Sequence, residues 1–307
     1  MKKEKREKIK LFAIGGPTAS GKTEAALILA KEFNGAIISC DSRQVYKELD
    51  VSTDKIPCEL PYRDPINYRG IDHYGINIAE ISQSFTLYDW QKYAYAVIEK
   101  IVEQGKLPML VGGTGLYIQA VIENYDLSDD FDEGLRTKLN QLTLSELQTK
   151  LSELDSESYK KIDTNNPRRL IRAIEKSQKS EIDTKSANNA TEKRYDALVL
   201  SFNPDRELIR EKIRRRVKQH QELGVIDEVK RLVDKYGSNN EILNTTISVQ
   251  EYIPYILGKI SLTEAQERVV INNRRYAKRQ MTWFKKYGDT VFCDSIEDMR
   301  QSVKQWL

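Results

Sequence analysis

The run from Gly16 to Thr23 has the residue types and the spacing of a phosphate-binding loop, G-x-x-x-x-G-K-[ST]. Its glycines let main-chain N–H groups approach phosphate oxygens, and the helix expected after it adds partial positive charge. Lys22 adds a full cation, and the Thr23 hydroxyl suits Mg²⁺. A glycine-rich turn without a ligand is the structural alternative. The predicted diphosphate-binding residues are Gly16, Pro17, Thr18, Ala19, Ser20, Gly21, Lys22 and Thr23.

Two further segments carry groups that could act on a ligand in this loop. Asp41 follows an apolar run, and its carboxylate could ligate Mg²⁺ through water or take a proton from an acceptor. It could equally cap a helix, because Asp is a preferred N-cap residue. Thr114 offers a hydroxyl to a phosphate oxygen, although a tight turn that needs glycine also explains the run Gly112–Gly115. No acid follows Val111, which favours a reaction other than phosphoryl transfer.

The pattern of apolar residues predicts a parallel sheet that would bring these groups to one of its edges. Strands are expected at Lys10–Ile14, Ala36–Cys40 and Leu107–Val111, with helices at Thr23–Phe33 and Leu87–Glu103 between them. This alternation predicts an α/β fold, a P-loop NTPase-like three-layer core with a parallel sheet and ligands at the carboxyl ends of its strands.

A helical insertion domain is expected in the second part of the chain. Residues 131–174 are charged and helical in pattern, and residues 176–193 are rich in Ser, Asn, Thr and Lys, which predicts a mobile connection. Residues 197–202 look like a strand that returns to the sheet. We therefore expect a core made of residues 1–122 and 196–307 and an insertion at residues 123–195.

Long charged helices are predicted over Asp205–Tyr236 and Thr263–Tyr287. In the second, basic residues at spacings of one and four share a face that could follow an RNA backbone. A solvated face balanced by nearby Glu is the alternative. Trp283 and Phe284 are expected to be core residues. The basic positions of these helices and of the insertion are Arg274, Arg275, Lys278 and Arg279, then Arg210, Lys212, Arg214, Arg215, Arg216 and Lys218, then Arg168, Arg169 and Arg172.

Composition limits the classes of protein that remain. Hydrophobic residues make up 39% of the 307 residues, which supports a packed core. A net charge of +3 is too small to indicate nucleic-acid binding, so any basic surface must be local. Cys40, Cys58 and Cys293 form no C-x-x-C pair and only two histidines could join them, which argues against a zinc site or disulfides. We expect a cytoplasmic protein without a membrane span.

Six segments together resemble the bacterial tRNA dimethylallyltransferase family. They occur in the family's order and span almost the whole chain, and the first and last are highly specific. The segments are Gly16–Thr23, Asp41–Tyr46, Leu49–Lys55, Val111–Tyr117, Asn166–Glu175 and Arg275–Phe284.

The resemblance implies a core related to nucleoside-phosphate kinases and an insertion that clamps the anticodon stem-loop. It implies dimethylallyl diphosphate and tRNA as substrates, Mg²⁺ as cofactor, and transfer to the N6 amine of the adenosine on the 3′ side of the anticodon. By motif match, Asp41 is the expected general base, Thr114 a diphosphate contact and Arg216 an arginine near the diphosphate. We expect a monomer. The tRNA contacts implied are Asp41, Ser42, Arg43, Gln44, Arg168, Arg169, Leu170, Ile171 and Arg172.

The chain departs from the family pattern at several places. Ile247–Glu251 reads ISVQE where the family usually has Ile-Gly-Tyr-Lys-Glu, so one expected cation is missing. Ser52 and Asp54 replace the usual Gly and Ala, and Lys218 and His220 replace the residues usual after the diphosphate arginine.

Three other functions share parts of this pattern: an ATP-dependent small-molecule or nucleotide kinase, a prenyltransferase acting on free adenine nucleotides, and an RNA-binding protein with a vestigial site. Intact Lys22, Asp41 and Thr114 argue against the last. An arginine-bearing insertion argues against the first two, since a small acceptor needs no such arm.

Overall fold

The computed structural model describes residues 8–57, 60–127, 132–180 and 192–307. It divides into two compact units, Met1–Tyr125 with Lys193–Leu307, and Asp126–Glu192. The sequence placed the limits of the insertion at 123 and 195. Among the described residues, no helix has both the length and the apolar character that crossing a membrane requires.

The larger unit is built on a seven-stranded sheet of order β3-β4-β2-β5-β1-β6-β7. The β3–β4 pair is antiparallel, and the other neighbouring pairs are parallel. This arrangement confirms the predicted parallel core and adds a hairpin at one edge and a strand at the other. The strands are β1 Ile9–Gly15, β2 Gly35–Ser39, β3 Ile66–Tyr68, β4 Ile71–Tyr74, β5 Leu107–Val111, β6 Tyr195–Phe202 and β7 Thr290–Cys293.

Helices cover both faces of this sheet. Alternate side chains of β1 enter two apolar clusters: Leu11 and Ala13 pack with α2, α3, α9 and α12, whereas Phe12 and Ile14 pack with α1 and α13. The unit therefore has the three layers that the sequence predicts. Its helices are α1 Lys22–Glu32, α2 Leu87–Glu103, α3 Gly115–Ile122, α8 Arg206–Glu222, α9 Val225–Tyr236, α10 Glu241–Thr245, α11 Ile253–Ile256, α12 Leu262–Lys286 and α13 Ile296–Trp306.

Among its described residues, the smaller unit consists of four helices and short connections. Its core is formed by leucine and isoleucine side chains of α4, α5 and α7. Arg136 adds a two-point ion pair to the buried Glu175, with both nitrogen–oxygen distances at 2.7 Å. The helices are α4 Glu133–Asn140, α5 Leu144–Leu154, α6 Ser156–Lys161 and α7 Pro167–Ser180.

Two predictions about helices need correction. The pattern from Asp205 to Tyr236 forms two helices, because Gly224 takes a φ of 85° and ends α8 before α9 begins. The predicted connection at 176–193 begins too early, since α7 continues to Ser180. Residues 181–191 of that connection lie outside the described residues, as does Cys58.

The loop after β2 is fixed to α9 by one buried carboxylate. Glu228 is 2% exposed and accepts hydrogen bonds from the main-chain N–H groups of Asp50, Val51 and Ser52, at 3.1, 2.7 and 3.0 Å. Main-chain N–H groups away from water need hydrogen-bond acceptors, which a helix or a sheet would normally supply. In this loop the carboxylate of Glu228 accepts three of these hydrogen bonds.

Glu228→Gln should lower the free energy of unfolding by about 2–4 kcal/mol. Glutamine lacks the negative charge, and its side-chain NH₂ group would face the main-chain N–H donors of the loop. Urea unfolding followed by circular dichroism measures this loss. Glu222→Gln, at an exposed position of α8, is the matched control and should change stability by less than about 0.5 kcal/mol. Equal effects of the two substitutions would show that Glu228 does not anchor the loop.

Candidate active site

The phosphate-binding loop connects β1 to α1 with the backbone that its sequence predicts. Gly16 and Gly21 have φ values of 127° and 96°, in the region that glycine tolerates best. No side chain caps the N-terminus of α1. The N–H groups of the first turn therefore remain available to an anion, as the motif requires.

Lys22 differs from the full cation expected of it. Its Nζ donates a hydrogen bond to the carbonyl of Pro17 at 2.6 Å. Loss of hydration, followed by repulsion from Arg216, lowers the pKa of Lys22 to about 7, although Asp41 and Asp54 act in the opposite direction. A phosphate group would add negative charge beside this lysine and restore its proton.

Gln280 on α12 joins the phosphate-binding loop to the turn after β5. Its Oε1 accepts from the N–H of Thr18 at 2.7 Å, and its Nε2 donates to the carbonyl of Gly113 at 3.0 Å. A side chain at Gly113 would collide with this amide. No sequence pattern predicts a role for Gln280, and its place inside the specific segment Arg275–Phe284 is the one signal for it.

Asp41 precedes a turn instead of the helix that the N-cap interpretation required, and its role as a base stays a prediction. Its Oδ1 accepts from the N–H groups of Arg43 and Gln44 at 2.8 and 3.3 Å, so one oxygen stabilises the turn after β2. No described group of the protein donates a hydrogen bond to the second oxygen, Oδ2. A carboxylate oxygen held at the end of a strand and left unengaged suits proton transfer.

The hydroxyl of Thr114 is engaged within the protein. It accepts from the N–H of Ser42 at 3.2 Å and forms a hydrogen bond with the Tyr276 side chain. Burial, followed by the charge of Asp41, raises the pKa of Tyr276 to about 12. The hydroxyl of Thr114 already links the segments that follow β2 and β5 to α12. A contact with diphosphate is therefore not needed to explain this residue.

The glycines of the same turn serve close packing. Added side chains at Gly112 and Gly115 would collide with the main chain of Cys40 and the ring of Trp283, respectively. The tight-turn interpretation therefore explains the run Gly112–Gly115.

Arg216 reaches the phosphate-binding loop from α8. Its guanidinium donates to Thr18 Oγ1 at 2.9 Å and forms an ion pair with Asp54 Oδ2 at 2.9 Å. His220 Nε2 lies 3.4 Å from the other carboxylate oxygen of Asp54. This places the arginine beside the loop, as expected from the motif, and adds two partners that the sequence singled out only as departures.

Two adjoining cavities meet at these residues. The larger, of about 420 Å³, is lined by the phosphate-binding loop, Lys55 and Gly112–Gly113. The smaller, of about 300 Å³, is lined by residues 245–248 and by polar side chains of α12. Both cavities are lined by Thr18, Asp41, Thr53, Asp54, Arg216 and Tyr276. A phosphate chain in the larger cavity and an acceptor in the smaller would therefore meet at Asp41.

Some of the predicted RNA contacts are exposed to solvent, and others form hydrogen bonds within the protein. Arg274, Arg275, Lys278 and Arg279 are exposed along α12, and Arg279 also stacks on Tyr276 with 5.7 Å to the ring centroid. Arg43 donates to Thr245 Oγ1 at 3.1 Å. The Gln44 side chain hydrogen-bonds Ser39 and the carbonyls of Thr53 and Asp54, which fixes the loop after β2.

In the smaller unit, one expectation needs correction. Arg168, Arg169 and Arg172 are exposed, but Leu170 and Ile171 are 0% and 7% exposed and pack in the core of this unit. The side chains of these two residues are therefore unavailable to RNA.

Aromatic residues of α12 are core residues, as predicted. Phe284 is fully buried, and Trp283 stacks on Tyr287 with ring centroids 5.3 Å apart. His73 is also buried, and loss of hydration lowers its pKa.

Few protein groups could hold a metal ion. The Thr23 hydroxyl is exposed in the larger cavity, which Asp41 and Asp54 also line. The described residues contain no group of three or more His, Cys, Asp and Glu that could hold a metal. This oxygen-only set fits Mg²⁺, which takes one or two protein ligands and draws the rest from phosphates and water.

The fold and this site define a class of proteins: P-loop α/β proteins that hold a phosphate chain at the carboxyl edge of a parallel sheet. Models of two families match, IPP transferase over residues 44–287 and isopentenyl transferase over residues 9–59. This chain belongs to the IPP transferase family.

Relatives match along most of their length. A tRNA dimethylallyltransferase of Caldanaerobacter subterraneus is 36% identical over 318 residues, which are 97% of this chain and 98% of the relative. A crystal structure of a tRNA isopentenylpyrophosphate transferase from Bacillus halodurans has 36% identity and a TM-score of 0.72, with 97% of each chain covered. A eukaryotic dimethylallyltransferase acting on tRNA has 26% identity and a TM-score of 0.76, covering 92% of this chain and 73% of the other.

The lowered pKa of Lys22 predicts that a diphosphate monoester binds with uptake of about one proton at pH 8, without Mg²⁺. With a pKa of about 7, Lys22 is mostly neutral at that pH, and the bound anion raises the pKa towards its usual value. Calorimetry in buffers of different ionisation enthalpy measures this uptake. Lys22→Met should abolish it. Uptake that persists in the variant, or none in the unaltered protein, would contradict this assignment.

Proposed function

We propose that this chain transfers the dimethylallyl group of dimethylallyl diphosphate to the N6 amine of an adenosine in tRNA, on the 3′ side of the anticodon. The observation that carries the proposal is the position of Asp41, which lines both the cavity of the phosphate-binding loop and the neighbouring polar cavity. The similarity of this chain to a tRNA dimethylallyltransferase and to a eukaryotic dimethylallyltransferase acting on tRNA supports the same reaction.

In the proposed reaction, the bond between the dimethylallyl carbon and the diphosphate oxygen breaks as a bond forms between that carbon and N6. The amine is a weak nucleophile because its lone pair is delocalised into the ring. Asp41 Oδ2 accepts the proton that the nitrogen loses, while Oδ1 keeps its two main-chain partners.

The leaving diphosphate gains negative charge as the bond breaks. Main-chain N–H groups of Gly21, Lys22 and Thr23, the protonated side chain of Lys22 and the guanidinium of Arg216 are the groups of this chain that would stabilise it. Thr23 would hold Mg²⁺, which supplies further positive charge at the diphosphate oxygens when bound. Because an allylic carbon tolerates positive charge, stabilising the leaving group and positioning the acceptor can supply most of the catalysis.

The acceptor must be an unstacked base, since a nucleobase inside a helix cannot enter a cavity of about 300 Å³. The exposed basic residues of α12 begin at the rim of that cavity, where Arg279 is a lining residue. We assign these residues to the RNA backbone, and we assign the exposed Arg168, Arg169 and Arg172 to tRNA as well.

Incubation with radiolabelled dimethylallyl diphosphate and either unmodified tRNA or AMP tests the proposal. Label in tRNA alone is the expected result. Label in AMP would indicate a prenyltransferase for free nucleotides, and ATP turnover without prenyl transfer would indicate a kinase. In the same assay, Asp41→Asn should lower kcat at least about 100-fold, because it removes the base but keeps an acceptor for the turn.

The affinity of Asp41→Asn for tRNA should stay within about twofold of the unaltered protein. Equal losses in kcat and in tRNA affinity would assign Asp41 to the turn alone.

The basic face of α12 predicts a strong salt dependence of tRNA binding. Replacing both Arg275 and Lys278 with Ala should reduce the slope of log affinity against log salt by about 2, one for each lost phosphate contact. Lys31→Ala, an exposed lysine of α1, is the control of equal charge type and should leave the slope unchanged. An unchanged slope in the double variant would indicate a solvated face.

A further inference from the structure

One carboxylate lies among the positive charges that face the phosphate-binding loop. Asp54 Oδ2 forms an ion pair with one nitrogen of the Arg216 guanidinium at 2.9 Å. Another nitrogen of that group donates a hydrogen bond to Thr18 Oγ1 at 2.9 Å. Asp54 also lines both cavities. An anion entering the larger cavity therefore meets an arginine that already has an anionic partner.

The main chain around Asp54 is held firmly. Its N–H donates to the carbonyl of Val51 at 3.1 Å, and its carbonyl accepts from the Gln44 side chain at 3.3 Å. The preceding residues of the loop are bound to the buried Glu228. The main chain of Asp54 is therefore fixed in place if the side chain of Arg216 swings towards a ligand.

The side chain of Asp54 is held from the opposite side by His220. The histidine side chain is 7% exposed, and its Nε2 lies 3.4 Å from Asp54 Oδ1. Burial acts to raise the pKa of Asp54, but the hydrogen bond from His220 and the charge of Arg216 outweigh it and lower the pKa. Asp54 is thus a carboxylate at neutral pH, with one oxygen for each partner.

We propose that Asp54 is an internal competitor for Arg216: it holds the guanidinium at the rim of the phosphate-binding loop and weakens the grip of that arginine on diphosphate. This inference rests on the proposed function, in which diphosphate is the product that must leave. Its consequence is faster release of diphosphate and weaker product inhibition than the cations of the site would otherwise give.

Asp54 acts in this account through Arg216, so it is a positioning residue. Diphosphate can pair with the guanidinium only by displacing the carboxylate from one of its nitrogens. The contribution of Arg216 to the diphosphate affinity is then the difference between its interaction with diphosphate and its interaction with Asp54. Removing the carboxylate charge should increase the diphosphate affinity.

The test measures binding of inorganic pyrophosphate by calorimetry, without Mg²⁺, to the full chain and to Asp54→Asn. Asparagine keeps the size of the side chain and tolerates the left-handed backbone of this position, where φ is 56°. The dissociation constant of pyrophosphate should fall about three- to tenfold, since the pair is partly exposed and solvent screens it. Glu80→Gln, which removes the same charge from a residue paired with Lys47, should leave the constant unchanged.

Tighter binding is a result that damage to the fold would not produce. An unchanged or weaker affinity in Asp54→Asn would overturn the inference. Equal tightening in Glu80→Gln would also overturn it, because net charge would then explain the change.

A second comparison isolates the path through Arg216. In an Arg216→Met background, adding Asp54→Asn should change the pyrophosphate constant less than about twofold. Tightening as large as in the unaltered background would show that Asp54 repels the anion directly, against the role proposed here.

Failure of the proposed function gives a different result. If the unaltered protein bound no pyrophosphate, the phosphate-binding loop would lose its assigned ligand. If the protein bound pyrophosphate and Asp54→Asn bound it equally well, the function would stand and the role of Asp54 would not.

Discussion

The site depends on three parallel strands that end side by side. β5 lies between β1 and β2, so the phosphate-binding loop, the turn after β5 and Asp41 reach the same edge of the sheet. Main-chain hydrogen bonds from Cys40 N–H to the carbonyl of Val111 at 2.7 Å, and from Thr114 N–H to the carbonyl of Cys40 at 3.0 Å, hold the last two together. Residues far apart in sequence are thereby fixed without any ligand.

Helix α12 closes this arrangement on its other side. Gln280 joins two of the three strand ends through one side-chain amide, and Tyr276 meets Thr114 beside Asp41. The same helix presents to solvent Arg275 and Arg279, the sequence neighbours of Tyr276 and Gln280. A single rigid element therefore links the geometry of the phosphate site to the surface assigned to RNA.

The charges of the site are balanced rather than simply positive. Lys22, Arg216 and the N-terminus of α1 converge on one cavity, and Asp41 and Asp54 lie among them. Without an anion the cations repel each other, which contributes to the lowered pKa of Lys22. Under the proposed function the site binds a diphosphate and must also release it, which requires such a balance, since maximal attraction would retain the product.

The sequence predicted the parts of this protein that local pattern determines. Apolar runs gave β1, β2 and β5 to within a residue or two, and the glycine spacing gave the phosphate-binding loop. It could not assign Gln280, because its partners Thr18 and Gly113 are distant in sequence. It treated Leu170 and Ile171 as parts of a motif, whereas helical periodicity places them in the core of the smaller unit. The edge strands β3 and β7, and β4 beside β3, are short and carry weak patterns, so packing against their neighbours determines them.

The most direct test of the central claim is a crystal structure of this chain with tRNA and an unreactive analogue of dimethylallyl diphosphate. We expect the diphosphate on the main-chain amides of Gly21, Lys22 and Thr23 and Asp41 Oδ2 within about 2.6–3.2 Å of the adenine amine. A diphosphate bound elsewhere, or an adenine amine well beyond hydrogen-bond reach of Asp41, would contradict it.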